Sequence, residues 1–178
     1  MREQQERTMQ EIEREYKWRV EVKPYGSPRP RLNSKAEEGE SKAYMPAAYK
    51  KWKQRFRTFS VNLPDCYYSD PVRVDVIVSM KLPKRTSKKS RSELLGTACT
   101  KKPDFDNVLK SVVDAIFPEK LSQYDRLHRG DNHVYGGSLL KVHGDVDCIY
   151  VTVTLIDVEA EREDFALLNA QFESRAVW

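Results

Sequence analysis

Asp104 and Asp106 are the residues best suited to do chemistry in this chain, standing two apart in the run Lys102-Pro103-Asp104-Phe105-Asp106-Asn107-Val108-Leu109-Lys110. Two carboxylates held this close repel each other unless a cation sits between them. A hard divalent ion supplies that cation: Mg²⁺, with Mn²⁺ as its substitute, is held by one or two carboxylates together with substrate phosphate. The same residues also suit a plainer task, since aspartate at a helix start accepts a capping hydrogen bond and complements the helix dipole. Lys110 lies one turn beyond Asp106, and Asp114 one turn beyond Lys110, so the three share an edge of the helix that follows.

Pro103 disfavours helix at Lys102, so the chain should arrive extended, with Asp104 or Asp106 at the cap. Val108, Leu109, Val112, Val113 and Ile116 recur at three- and four-residue intervals and give the helix one apolar face, which needs a sheet to lie on. Val72 to Met80 alternates strongly and is the clearest strand, with Arg73, Asp75 and Ser79 pointing away from its apolar face. Asp75 is weighed as a further ligand and read as a strand-surface residue. Trp18 to Val22 reads as a first strand, stopped by the Pro24-to-Arg31 loop. Tyr135 to Val142 and Cys148 to Leu155, joined through His143-Gly144-Asp145-Val146-Asp147, read as an antiparallel hairpin. Asp145 and Asp147 are assigned to its turn and not to a metal. Pro46 to Phe59 reads as a second amphipathic helix, with Ala48, Trp52, Phe56 and Phe59 as its apolar stripe and packing preferred to base stacking for Trp52. The order of strand, helix, strand, helix, strand, strand fits an α+β domain, a mixed β-sheet covered on one face by helices.

Charge is distributed unevenly. Residues 81–102 hold Lys81, Lys84, Arg85, Lys88, Lys89, Arg91, Lys101 and Lys102 against Glu93 alone, a local charge of +7 in a chain whose total is +4. A basic loop running directly into an acidic motif would deliver a phosphate backbone to a metal site; Lys84, Arg85, Lys88, Lys89, Arg91, Lys101 and Lys102 are the expected DNA contacts.

The pattern Lys-Pro-Asp-x-Asp-Asn-x-x-Lys-x-x-x-Asp-Ala, as it stands from Lys102 to Ala115, resembles the signature of the RusA family of Holliday junction resolvases, endonucleases carried largely by bacteriophages and prophages. The resemblance covers about Trp18 to Ile156. It implies that Asp104 and Asp106, with a third aspartate downstream, form an acidic metal centre assisted by Lys110. Asp114 also falls on a family position, with a structural cast. The third carboxylate belongs to an Asp-Asp-x-x-Val/Ile segment, matched most closely by Gly130-Asp131-Asn132-His133-Val134, which nominates Asp131. Gly130 stands where the first acid of that pair is usual. The preceding Pro118-to-Arg129 segment is longer than usual, which leaves Asp125 as the alternative. His128 and His133 flank Asp131 and receive no role. The resemblance further implies a homodimer presenting two active sites to a four-way DNA junction, whose approximate two-fold symmetry it would match.

The remaining sequence sets limits. The domain is expected over residues 18–156, preceded by a charged helix or arm at 1–17 and followed by a helical extension at 157–178, in which Phe165, Leu168 and Phe172 recur at helical spacing. Asn33 to Lys42 reads as a polar surface loop. No apolar run approaches the ~20 residues of a membrane helix, and the start of the chain is charged, so a cytoplasmic protein is expected. Cys66, Cys99 and Cys148 have no zinc-like spacing. The expected activity is Mg-dependent hydrolysis of branched DNA in recombination and repair. A non-catalytic DNA-binding module of the same fold, or a nuclease for other branched DNA, are the alternatives.

Overall fold

Alternating valines build the centre of the molecule. In the computed structural model, which describes residues 14–32, 43–118, 130–158 and 162, Val72, Val74, Val76 and Val78 of one strand are all buried against the helices. Each such side chain contributes roughly 1.5–3 kcal/mol relative to exposure. The elements in chain order are β1 (Glu15–Val20), β2 (Arg31–Leu32), β3 (Ala43–Tyr44), α1 (Ala47–Thr58), a 3₁₀ turn (Asp65–Tyr68), β4 (Val72–Lys81), α2 (Lys88–Leu94), α3 (Phe105–Ile116), β5 (Val134–Gly144) and β6 (Cys148–Leu155). β1, β6, β4 and β5 form one sheet in that order, and β2 pairs with β3 in a separate two-stranded ribbon. β4 runs antiparallel to β6 and parallel to β5, so the sheet is mixed and the fold is α+β, as its element order predicts. α1 and α3 cover one face; Ile77, Leu140 and Tyr150 lie exposed on the other.

The expected hairpin is not formed. β5 and β6 do not pair: β4 lies between them, parallel to one and antiparallel to the other. The intervening residues cross the end of β4 instead, where Ser79 Oγ donates to the Val146 carbonyl at 2.7 Å and the Lys81 amide donates to Asp147 Oδ1 at 2.9 Å. Sheet composition explains the order. The valine-rich β4 takes a doubly paired interior position, while β5, with Gly136, Gly137, Ser138 and Lys141, takes the edge.

Three further readings change. The buried stripe of α1 is Tyr49, Trp52 and Phe56, whereas Ala48 and Phe59 are exposed. Tyr49 is therefore a core residue; its ring stacks nearly parallel to that of Trp52, and Trp52 Nε1 donates to the Lys23 carbonyl at 2.8 Å. The basic segment expected as loop contains α2, started by Ser87, whose hydroxyl accepts from the Ser90 amide at 3.1 Å. β1 begins at Glu15, so residues 15–17 are strand. Residues 1–13, the Asn33-to-Lys42 loop, the insertion carrying Asp125 and His128, and nearly all of the C-terminal extension lie outside the described residues.

Candidate functional site

α3 carries the site because its apolar face is anchored on the sheet: Val108, Val112, Ala115 and Ile116 are buried. Arg57 of α1 secures its far end, donating from Nε to the Ala115 carbonyl at 2.9 Å. α3 has no basic residue in its own last turn, so this guanidinium satisfies a terminal carbonyl from outside.

At the near end, Asp104 occupies the N-cap position with extended backbone, and its carbonyl accepts from the Val108 amide at 3.1 Å. Its side chain makes no capping bond. The plain capping role is thus not the one the side chain performs. Asp106 sits in the first turn. Both are exposed, and among the described residues neither carboxylate is engaged by a hydrogen bond or an ion pair.

The segment leading into Asp104 is fixed from two sides. Lys141, in the middle of β5, donates from Nζ to the Pro103 carbonyl at 2.6 Å and also to the Lys101 carbonyl, across the cis Lys102–Pro103 peptide. On the other side, the Pro24-to-Ser27 loop docks on α3, with the Ser27 amide donating to the Asn107 carbonyl at 2.8 Å. A Cβ at Gly26 would lie 2.9 Å from Pro103 Cβ. Gly26→Ala should therefore push the Pro103 segment aside. We expect a loss of about 1–3 kcal/mol from overpacking in thermal denaturation, with a fall in turnover larger than that loss of stability explains. Beside this contact lies an open cleft of about 450 Å³, lined by Lys23, Tyr25, Ser27, Lys102, Asp104 and Asn107.

Lys110 holds the next position along the helix edge. Its ammonium donates to Asp114 Oδ1 at 3.1 Å and lies 3.8 Å from Asp131 Oδ2. Both contacts favour the charged amine, and the hydrogen bond that Lys110 donates to Asp114 is the main cause that raises the Lys110 pKa. Asp131 stands in the turn before β5, where Gly130 has φ +75°. A left-handed backbone there accounts for glycine where an acid is usual. Asp131 is thus brought to the helix edge of Lys110. No three of His, Cys, Asp and Glu are gathered closely enough to ligate one ion among the described residues, so the triad is not drawn into a closed ligand set. The donor chemistry nevertheless fits a hard cation: Asp104 and Asp106 are exposed oxygen donors on one helix turn, without partners among the described residues, and Asp131 lies near Lys110 on the next.

The nominated basic residues divide. Lys84, Arg85, Lys88, Lys89, Lys101 and Lys102 are exposed. Arg91 is engaged instead, donating to Asp145 Oδ1 at 2.5 Å. The α2-to-motif connection runs along β5, with the Cys99 amide donating to the Lys141 carbonyl at 2.8 Å and the His143 amide to that of Thr97 at 2.9 Å. This lacing joins the basic helix to the strand that holds Pro103. The other acids considered are accounted for. Asp75 accepts from Arg73 and from Ser138 at 2.6 Å, and Arg73 chiefly holds its carboxyl below the usual range. Asp147 accepts from the Lys81 amide. His133 packs edge-on against Phe117, with ring centroids 4.6 Å apart. Lys141 and Tyr49, both site-supporting, were missed as such. The only signal for Lys141 was a lysine inside an apolar-alternating strand, which usually marks the solvent face.

Two exposed carboxylates at the start of an anchored helix, a lysine farther along it and exposed cations in the preceding segment, on a mixed-sheet α+β scaffold, are an arrangement suited to a phosphodiester substrate. Residues 21–154 match the family model described as Endodeoxyribonuclease RusA. The chain belongs to the RusA endodeoxyribonuclease family. No curated protein matches it significantly. No helix among the described residues is long and apolar enough to cross a membrane.

Proposed function

We propose that this protein resolves four-way DNA junctions by Mg²⁺-dependent phosphodiester hydrolysis, acting in recombination and repair as a homodimer with one site for each of two opposed strands. The observation that carries the reading is the pair of exposed carboxylates, Asp104 at a cap position it does not use and Asp106 one step into the helix. Asp104, Asp106 and Asp131 would hold the metal. When bound, a divalent ion supplies activation of water, polarisation of the scissile phosphate and stabilisation of the leaving 3′ oxygen. The chain's own residues do the rest. Lys110 presents a fixed positive charge to the phosphate oxygens as negative charge builds there. Exposed lysines from residues 84 to 102 hold the backbone on either side without reading bases. Pro103 and Lys141 fix where the helix starts, and so where the carboxylates stand.

The test is incubation of the purified protein with an end-labelled four-way junction in Mg²⁺ and in EDTA. Paired, symmetry-related nicks in Mg²⁺ alone support the reading. Equal cutting with EDTA removes the metal from it, and a band shift without nicks in either buffer makes the chain a DNA-binding module. Competition with flap and replication-fork DNA separates a junction enzyme from a nuclease for other branched DNA.

A further inference from the structure

Lys110 stands between two carboxylates and does not share itself equally. Its distance to Asp114 Oδ1, 3.1 Å, is that of a charge-assisted hydrogen bond, whereas 3.8 Å to Asp131 Oδ2 is outside hydrogen-bond range. Asp114 is itself held. Its second oxygen, Oδ2, accepts from the Tyr49 hydroxyl at 3.1 Å, and Tyr49 is fully buried, with its ring stacked nearly parallel to that of Trp52. Ser111, one turn before the far end of the helix, is buried beside it and bonds back to the Asn107 carbonyl at 2.9 Å. Asp114 is the least exposed of the three charged groups, with 21% of its side chain accessible against 58% for Lys110 and 47% for Asp131. The contacts therefore run from the buried Tyr49 to Asp114, Lys110 and Asp131, and the last two are the more exposed.

An ammonium on a flexible four-carbon stem is able to swing to another carboxylate within its reach. Take away the charge of Asp114 and the nearest one is Asp131. Lys110 then closes the remaining gap, and a cation approaching Asp131 has to displace it. We propose that Asp114, fixed by Tyr49, is a positioning residue that keeps Lys110 off Asp131 and leaves Asp131 free for a divalent cation. This rests on the nuclease reading given above. It assigns Asp114 a task distinct from packing, and it makes a buried tyrosine of α1 part of the site's support.

The proposal is tested on the full chain with Mn²⁺ as the probe, by calorimetry or electron paramagnetic resonance without DNA, using wild type, Asp114→Asn, Lys110→Met, the double variant and Tyr49→Phe. Asp114→Asn is expected to weaken Mn²⁺ binding by about 10- to 100-fold, the range seen when a residue supporting a metal ligand is lost. In the Lys110→Met background the same change should have no effect, because the residue it restrains is gone. Tyr49→Phe, which keeps the ring and loses the hydroxyl, should weaken binding in the same direction by less, and it carries the test if Asp114→Asn does not fold. A structural role alone predicts a loss that is equal with and without Lys110 and that follows the melting temperature; that result, or unchanged Mn²⁺ affinity in Asp114→Asn or its stand-in Tyr49→Phe, overturns the proposal. Wild type that binds no Mn²⁺ overturns the metal reading itself, a distinguishable failure.

Discussion

Asp106→Asn is expected to lose about 10³-fold or more in junction cleavage, the scale of loss when a group acting on developing charge is removed, while binding the junction as tightly as wild type or tighter. The substitution keeps size and shape and removes one negative charge. Asp106 is exposed and has no partner among the described residues, so folding should change by no more than ~0.5 kcal/mol. Turnover is different, because a neutral amide is a poor ligand for a hard cation. Affinity gains because one fewer anion faces the phosphate backbone. Single-turnover cleavage in Mg²⁺, band shifts in EDTA and a melting curve on the same preparation separate the three quantities. Wild-type cleavage by Asp106→Asn would remove the metal assignment, and a cleavage loss matched by loss of folding would leave Asp106 a structural residue.

The second large effect is expected from the lysines. Replacing Lys88, Lys89, Lys101 and Lys102 together by alanine should reduce the slope of log affinity against log salt by up to about 3–4, since each phosphate neutralised contributes ~0.9 on duplex DNA. At moderate salt this amounts to a fall in affinity of roughly two to three orders of magnitude. All four side chains are exposed, so stability should be little changed. Arg91→Ala is the contrasting variant. Its guanidinium is bound to Asp145, and its loss should leave the salt slope near that of wild type. Fluorescence anisotropy of a labelled junction from 50 to 200 mM salt reads both variants. A slope unmoved by the fourfold substitution would place the DNA on another surface.

What could be read from the residues was whatever is local and periodic. β4 declares itself by alternation over 72–80 and is observed at Val72–Lys81; α3 declares itself by its three- and four-residue spacing and is observed at Phe105–Ile116. α2 gave no such signal because none of its residues is buried, so there is no apolar stripe to see. The hairpin was misread for a different reason. Strands adjacent in sequence usually pair, and nothing within 135–155 reveals that β4 enters between them. On α1 the stripe through Ala48 and the one through Tyr49 differ by a single position. A tyrosine was not an obvious core residue until its hydroxyl found Asp114, sixty-five positions away in the chain.

The candidate acids Asp104 and Asp106 stand out for a simpler reason: they lie within one short motif, which Asp131 does not. Their support does not stand out. Gly26, Tyr49 and Lys141 each reach the motif from a different part of the chain, and no local pattern announces a partner that distant.

Lys141 fastens the peptide groups on either side of Lys102, and it does so from a strand that pairs in parallel with β4 along its whole length. Parallel neighbours of that kind are joined late, after a long excursion of chain has been closed into place. A polypeptide ending at residue 133 would contain Asp104, Asp106, Lys110 and Asp131, yet would lack the strand that seats them. On the proposed reading, an unfinished chain of that length therefore carries all four candidate side chains before the strand that seats the Pro103 segment has been made.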